Sequence, residues 1–156
     1  MNYEETLAYI HSTLKFGSKP GLSRIRALME ASGDPQKKCA FVHITGTNGK
    51  GSTTMFTTNI LREAGYRVGT FISPYVDDFR ERMQIDGEMI PKDALCRQLE
   101  KLLPVIETIR EQGHSQPTEF EIVTALALNW FADEGCDIVA LEVGMGGRYD
   151  CTNVID

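Results

Sequence analysis

The 156-residue sequence lacks several features that would place it in large classes of protein. It contains no run of about eighteen apolar residues, so no membrane-spanning helix is predicted. It also has no excess of basic residues: 22 acidic side chains against 16 lysines and arginines give a net charge of −6, which argues against binding to nucleic acid or to a membrane surface. The first residues are acidic and show no basic-then-apolar signal, so we expect a cytoplasmic protein.

The cysteines are few in number, four in all, and their pattern is not that of a metal site. The four cysteines form no C-x-x-C pair. Cys39 and Cys136 stand at the starts of apolar runs, which favours small core residues over zinc ligands. Cys151 lies in a polar loop, and the sequence does not predict whether it is buried. No Ser-His-Asp or Cys-His arrangement is apparent, and His43, inside an apolar run, is expected to form a hydrogen bond in the core.

A glycine-rich turn at residues 46–52 lies between a predicted strand at 41–45 and a predicted helix at 53–64. Its glycines allow backbone N–H groups to surround an anion, and a helix N-terminus adds further donors and partial positive charge. Lys50 supplies a full charge, and Ser52 a hydroxyl that can reach Mg²⁺. This order predicts a phosphate-binding loop, although Gly51 separates the lysine from the hydroxyl that usually follows it directly. The alternative is an ordinary glycine-rich turn with an exposed lysine.

The remaining pattern predicts one α/β domain, a three-layer P-loop-type parallel sheet with flanking helices. The stretch 39–72 has the length and order of a βαβ unit with parallel strands. Asp86-Gly87 predicts a hairpin turn, and Thr118 with Glu121 predicts a capping box at the start of a buried helix. The other predicted elements are helices at 3–14, 23–31 and from Pro91 onward, and a strand at 137–141.

An acidic residue, Glu142, follows that last strand. If this strand lies near the one before the glycine-rich turn, the Glu142 carboxylate can take Mg²⁺ directly or through water. The alternative is a strand-end acid that pairs with Arg148 or faces solvent. Glu119 and Glu121 are close in sequence but point apart on a helix, so they are not predicted to form a general acid/base pair.

Several stretches together resemble folylpolyglutamate synthase and dihydrofolate synthase of the Mur ligase superfamily. The resemblance is carried in order by residues 43–52, Ser73-Pro74, 79–83, 118–121 and 142–155. Gly51, which departs from the general phosphate-loop pattern, fits this family. The resemblance implies an ATP-dependent amide ligase that phosphorylates a folate or dihydropteroate carboxylate to an acyl phosphate. The amine of L-glutamate then displaces phosphate.

The resemblance also implies roles for named residues. Lys50 and Glu142 would be catalytic. Mg²⁺ would be bound by Ser52, Ser73 and Glu142. The triphosphate of ATP would be held by Thr47, Asn48, Gly49, Lys50, Gly51 and Ser52. The pterin or pteroate site would be lined by Ser18, Lys19, Pro20, Gly21, Thr118, Glu119, Phe120, Glu121, Tyr149, Asp150 and Cys151.

Two departures from the family accompany the resemblance. Tyr75 follows Ser73-Pro74 where the family often has histidine, which puts the conformation of this segment and its contact with the pterin in question. Such enzymes are also much longer and carry a C-terminal domain, so we expect an N-terminal part of the ATP-binding domain that is inactive alone, from a monomeric parent enzyme. The alternatives are another Mur-type amino-acid ligase or a non-catalytic nucleotide-binding fragment. The sequence does not distinguish addition of the first glutamate from addition of later ones.

Overall fold

The fold is taken from a computed structural model of the chain, which describes residues 1–17, 19, 21–45, 49–143 and 150–155, except the side chain of Lys50. Five helices lie in this part of the chain: α1 (Tyr3–Ser12), α2 (Ser23–Ala31), α3 (Lys50–Glu63), α4 (Lys92–Glu111) and α5 (Glu119–Asp133). Five strands accompany them: β1 (Ala40–Ile44), β2 (Val68–Phe71), β3 (Met83–Ile85), β4 (Glu88–Met89) and β5 (Ile138–Glu142). Short 3₁₀ turns lie at Thr13–Phe16, Pro35–Lys37, Phe79–Arg82 and Cys151–Ile155.

The strands form a single sheet in the order β1-β5-β2-β3-β4. β5 pairs in parallel with both β1 and β2, which confirms the predicted parallel strands. β3 and β4 are the predicted hairpin, and they extend the sheet in the antiparallel direction. The sheet is therefore mixed, with its parallel half formed by β1, β5 and β2.

Helices cover the two faces of the sheet unequally. α5 lies so close to β2 that a Cβ atom built on Gly69 would lie 2.7 Å from Cδ1 of Phe131. α5 is buried on nearly all sides, as its apolar sequence predicts, because α4, α1 and α2 pack around it. On the opposite face Thr70, the next residue of β2, shares a 2.9 Å hydrogen bond with the hydroxyl of Thr58 in α3. These contacts confirm the three layers.

Local sequence signals fix most of the helix ends. α2 has the predicted bounds, and α5 begins with the predicted capping box, in which Thr118 N–H donates to Glu121 Oε1 over 2.8 Å and Glu121 N–H donates to Thr118 Oγ1 over 3.2 Å. Pro91 is the N-cap of α4 and not its first helical residue. The described helices include none that is long and apolar enough to cross a membrane.

All four cysteines are free thiols. Cys136 is buried, as predicted, and burial raises its pKa to about 12. Cys39 is only half-buried at the margin of the core. Cys151, whose environment the sequence left open, is buried.

Candidate ligand pocket and phosphate site

The carboxyl ends of the three parallel strands lie side by side. Glu142, the last residue of β5, is in register with Ile44, the last residue of β1, and Val143 N–H donates to Ile44 O over 2.9 Å. On the other side of β5, Leu141 is in register with Phe71, so Ser73 follows β2 at the same edge. The strand that ends in Glu142 is thus the direct neighbour of the strand before the glycine-rich turn, which was the condition for Glu142 to approach a bound phosphate.

Glu142 lies on the α3 face of the sheet. Ala140 is in register with Thr70, which contacts α3, and side chains two residues apart on a strand share a face. The Glu142 side chain is buried, at 4% exposure, and is one of the few acids so placed. A carboxylate here, with the hydroxyls of Ser52 and Ser73 on neighbouring elements, is an all-oxygen donor set of the kind that suits Mg²⁺. Within the described ranges, no cluster of three or more His, Cys, Asp or Glu side chains forms a separate metal site.

α3 begins earlier than the sequence predicted. Its first residue is Lys50 and not Thr53, so Gly51 and Ser52 lie in its first turn. Gly49 precedes the helix with φ of +75°, a left-handed conformation that glycine adopts without steric cost. The predicted phosphate ligands Thr47 and Asn48 lie outside the described residues, as does the side chain of Lys50. The helix N-terminus is in place beside the end of β1, where an anion would be stabilised.

A pocket of about 380 Å³ opens at the same edge of the sheet. Three sequence segments that the resemblance assigned to the pterin site meet in its wall: the loop before α2, the first turn of α5, and the segment around Asp150. The lining residues are Leu14, Gly17, Lys19, Gly21, Ser73, Pro74, Tyr75, Arg82, Thr118, Glu119, Phe120, Glu121, Asp150 and Cys151. Of the predicted lining, Ser18, Pro20 and Tyr149 lie outside the described residues.

Glu121 anchors the pocket wall through internal contacts. Its Oε1 accepts the capping hydrogen bond from Thr118 and a second one from Nε of Arg24, at 3.0 Å, and the residue is only 3% exposed. Arg24 also donates to Lys19 O over 3.4 Å, and Lys19 Nζ donates to Gln116 O over 3.3 Å. These contacts tie the loop before α2 to the first turn of α5, so Glu121 orders the pocket from behind.

Arg82 and Glu119 form a second ion pair in the pocket wall, with 2.8 Å between Arg82 Nη1 and Glu119 Oε1. Arg82 is 6% exposed, and its guanidinium carbon lies 5.4 Å from the ring centre of Phe79 and 5.8 Å from that of Phe120. The sequence prediction gave Arg82 no place in the site, although it lies within the stretch 79–83 that carries the family resemblance. Two of its partners, Glu119 and Phe120, are far away in sequence, so local pattern gave no direct signal for the pair.

Two half-buried aromatic rings contribute flat apolar surface to the pocket. Tyr75 packs edge-on against Phe79, with 5.7 Å between ring centres, and Phe120 lies 6.0 Å from Phe71. Tyr75, which stands where the family often has histidine, therefore lines the pocket.

A series of hydrogen bonds between polar side chains holds the third segment of the wall, around Asp150. Asp150 accepts hydrogen bonds from the backbone N–H of Thr152, at 2.9 Å, and from the Thr152 hydroxyl. That hydroxyl also lies 2.8 Å from Nε2 of His43 in β1, which confirms a hydrogen-bonded role for this histidine. The neighbouring Cys151 also lines the pocket, and burial raises the pKa of its thiol.

Comparison with known proteins gives a consistent picture, although no protein-family model matches the chain. The dihydrofolate synthase/folylpolyglutamate synthase of Bacillus subtilis is 45% identical over 155 residues, which cover 99% of this chain and 36% of that protein. The crystal structure of folylpolyglutamate synthase from Thermotoga maritima superposes with a TM-score of 0.91 at 40% identity, over 99% of this chain and 36% of that one. A folylpolyglutamate synthase complex with AMPPCP and folate superposes with a TM-score of 0.89, also at 40% identity, over 99% of this chain and 38% of that one.

The chain thus spans little more than a third of the length of the curated relatives that match it over nearly all its residues. Sequence identity and fold agree along nearly all of this chain. The chain is therefore a homologue of the folylpolyglutamate synthases and dihydrofolate synthases, and it corresponds to about a third of such a protein.

Proposed function

We propose that the chain forms the nucleotide- and pterin-binding part of an ATP-dependent amide ligase. The reaction joins L-glutamate to a carboxylate of a folate or dihydropteroate. One observation carries the proposal: three segments from distant parts of the chain line one pocket beside the ends of β1, β5 and β2. The names of the relatives support the choice of reaction, as does the folylpolyglutamate synthase complex with AMPPCP and folate.

The pocket suits a pterin in size and surface. Its volume of about 380 Å³ lies within the range of small-molecule sites. Phe120 and Tyr75 offer apolar ring surface to a flat heteroaromatic ring, while Thr118 and Asp150 offer polar groups to its edge. Lys19 and Gly21 line the pocket from the loop before α2, with Ser18 and Pro20 proposed beside them and Tyr149 proposed beside Asp150 and Cys151. Glu119 and Glu121 would order the pocket wall through their ion pairs with Arg82 and Arg24.

The triphosphate of ATP would be bound where β1 leads into α3. The proposed ligands are the backbone and side chains of Thr47, Asn48, Gly49, Lys50, Gly51 and Ser52. Lys50 would offset the negative charge that shifts between phosphates during transfer, and the N-terminus of α3 would contribute backbone donors. Ser52, Ser73 and Glu142 would hold Mg²⁺, which when bound neutralises phosphate charge.

Ser73 connects the two proposed sites, because it lines the pterin pocket and also follows β2 at the edge that carries Glu142. This arrangement suits a reaction between the substrate carboxylate and the γ-phosphate. A carboxylate is a poor acyl donor, and its attack on the γ-phosphorus releases ADP and leaves an acyl phosphate. The amine of glutamate then attacks the acyl carbon, phosphate leaves, and an amide remains.

The glutamate site is proposed to lie on segments of the whole ligase that this chain does not include. The chain would then be the N-terminal part of the ATP-binding domain, in a cytoplasmic and monomeric parent enzyme. Its acidic net charge is in keeping with small-molecule substrates as its binding partners.

Calorimetric titration of the chain tests the proposal. Dihydropteroate and Mg²⁺–AMPPCP should each bind saturably, and a UDP-muramyl compound should not. Lys50→Ala should weaken AMPPCP binding and leave dihydropteroate binding unchanged, while Phe120→Ala should do the reverse. Absence of binding by both ligands, or preference for the UDP-muramyl compound, would contradict the assignment.

A further inference from the structure

The segment from Ser73 to Asp78 forms one wall of the pocket without belonging to a helix or strand. It leaves the end of β2 and returns through the 3₁₀ turn Phe79–Arg82 to β3. A hydrogen bond of 3.0 Å from Ile72 N–H to Arg82 O joins the two ends of this connection. Without a strand or helix to order it, the tip of the segment needs other partners for its backbone.

One carboxylate supplies those partners. Oε1 of Glu81 accepts a hydrogen bond from Val76 N–H at 2.9 Å. Its Oε2 accepts from Asp77 N–H at 3.1 Å and from Asp78 N–H at 2.8 Å. Three consecutive backbone donors thus converge on a single side chain, and both of its oxygens are used.

The neighbouring charges hold the turn that carries Glu81. Asp78 Oδ1 accepts from Arg80 N–H over 2.9 Å, and Asp78 Oδ2 accepts from Arg80 Nη2 over the same distance. Arg80 Nη1 donates to Ile90 O over 3.3 Å, which ties the turn to the residue after the β3–β4 hairpin. Glu81 therefore extends from an anchored turn toward the less anchored segment.

Two of the three N–H groups whose hydrogen bonds Glu81 accepts lie near solvent, since Val76 is 85% exposed and Asp77 is also exposed, while Asp78 is half-buried. Water can replace the carboxylate as acceptor at Val76 and Asp77, so loss of Glu81 removes order and leaves at most the Asp78 N–H without an acceptor. The contribution of Glu81 is then to the conformation of the segment and only weakly to global stability. That conformation places Ser73, Pro74 and Tyr75 in the pocket wall.

We propose that Glu81 is a positioning residue for the ligand pocket: its carboxylate fixes residues 76–78, and through them it presents Tyr75 and Ser73 to the bound ligand. The identity of that ligand, a dihydropteroate, rests on the proposed function. A pocket wall that is ordered before binding saves the entropy of ordering it on binding, and this raises affinity.

The experiment compares Glu81→Gln with wild type in the 156-residue chain. Glutamine keeps the size of the side chain but replaces one oxygen by an NH₂ group, so either Val76 or the Asp77–Asp78 pair faces a donor. Glu81→Ala, which leaves the donors to water, is the second variant in case the amide disturbs folding. Glu107→Gln is the matched control, because Glu107 is an exposed acid on α4 that pairs with Arg110 far from the segment.

Amide resonances and hydrogen exchange of residues 76–78 report on the segment, the Tyr75 ring resonances report on the pocket wall, and calorimetry reports on dihydropteroate binding. In both Glu81 variants we expect faster exchange at residues 76–78 and shifted Tyr75 resonances. Dihydropteroate binding should weaken about tenfold, because the wall must be ordered on binding. Amides of α4 and the Glu107→Gln variant should match wild type.

The outcomes separate this inference from the proposed function. Unchanged exchange and unchanged Tyr75 resonances in both Glu81 variants would overturn the positioning role, and so would faster exchange with dihydropteroate affinity intact. If wild type binds no dihydropteroate while the Glu81 variants still loosen residues 76–78 and shift Tyr75, the proposed ligand is wrong and the positioning role of Glu81 in the pocket wall stands.

Discussion

The two faces of the sheet differ in how they are built. On one face α5 packs on β2, and α1, α2 and α4 surround α5 with a continuous apolar cluster. On the other face α3 is the one helix in the described part of the chain, and it meets β2 through the Thr58–Thr70 hydroxyl pair. The outer side of α3 leaves large apolar residues in solvent, with Phe56 at 69% and Ile60 at 67% exposure.

This difference indicates where stability and ligand binding reside. The four-helix face supplies the hydrophobic burial that stabilises the domain, and the proposed pterin pocket opens at its edge. The α3 face contributes less apolar burial, and the proposed phosphate site lies at the N-terminus of its helix. Substitutions on the four-helix face should therefore have the largest effects on unfolding free energy, while those at the N-terminus of α3 should mainly change nucleotide binding.

Truncation of one phenylalanine on each face should give the largest difference in the free energy of unfolding. Phe131→Ala removes a fully buried ring that contacts β2, so it should lower the free energy of unfolding by about 4 kcal/mol. Phe56→Ala removes an exposed ring of the same size from α3 and should change stability by about 0.5 kcal/mol or less. Urea unfolding followed by circular dichroism measures both, and equal losses would show that the faces do not differ as described.

The ion pair at the edge of the four-helix face should give the next largest effect. Glu119→Ala leaves the Arg82 charge buried without its partner and should cost about 3 kcal/mol of unfolding free energy. Asp93→Ala is the matched control, since it breaks a pair with Arg97 in which both side chains are mostly exposed, and such pairs contribute about 1 kcal/mol or less. The same urea titration measures both variants; similar losses would mean that the pocket-wall pair is no more buried than a surface pair.

On the α3 face, a smaller loss is expected from Thr58→Val. The substitution leaves the buried Thr70 hydroxyl without this hydrogen bond, which should cost about 1 to 2 kcal/mol. The double variant Thr58→Val/Thr70→Val removes both hydroxyls and should recover most of that loss, because no polar group is then left unpaired. Thermal and urea unfolding of wild type, Thr58→Val, Thr70→Val and the double variant would test this; a double variant as unstable as the sum of the two single variants would contradict a direct pair.

The smallest effect concerns pH and the pocket segment. Backbone hydrogen bonds from residues 76–78 lower the pKa of Glu81, and the Arg80 side chain lowers that of Asp78. A carboxyl whose pKa is lower in the folded state binds fewer protons there than in the unfolded chain, so its contribution is complete at neutral pH and declines as the pH falls below about 4. Unfolding experiments between neutral and acidic pH should show that the unfolding free energy falls less steeply with decreasing pH in Glu81→Gln than in wild type. Identical pH dependence in the two proteins would show that Glu81 does not contribute.

Features set by local sequence could be predicted well. α2 has its predicted bounds because turn residues stand at both ends, and the Thr118–Glu121 capping box depends only on a four-residue pattern. The Asp86-Gly87 turn likewise identified the β3–β4 hairpin. Each of these signals depends only on residues that are close together in the sequence.

Features set by distant contacts could not be predicted from the residues alone. No local pattern placed β5 between β1 and β2, since strand order is decided by tertiary packing. Arg24 and Glu121 pair across 97 positions, so the ion pair that holds the predicted pocket residue Glu121 could not be read from local pattern. Arg82 was missed for the same reason, because its partners Glu119 and Phe120 come from α5.

The central claim is that the pocket between Tyr75, Phe120 and Asp150 binds a pterin ring. The most direct test is calorimetric titration of dihydropteroate into the chain and into its Phe120→Ala variant. The claim predicts saturable binding to wild type and at least about fivefold weaker binding to the variant, since loss of a stacking ring removes about 1 kcal/mol or more. Equal affinity in the two proteins, or no binding to wild type, would contradict it.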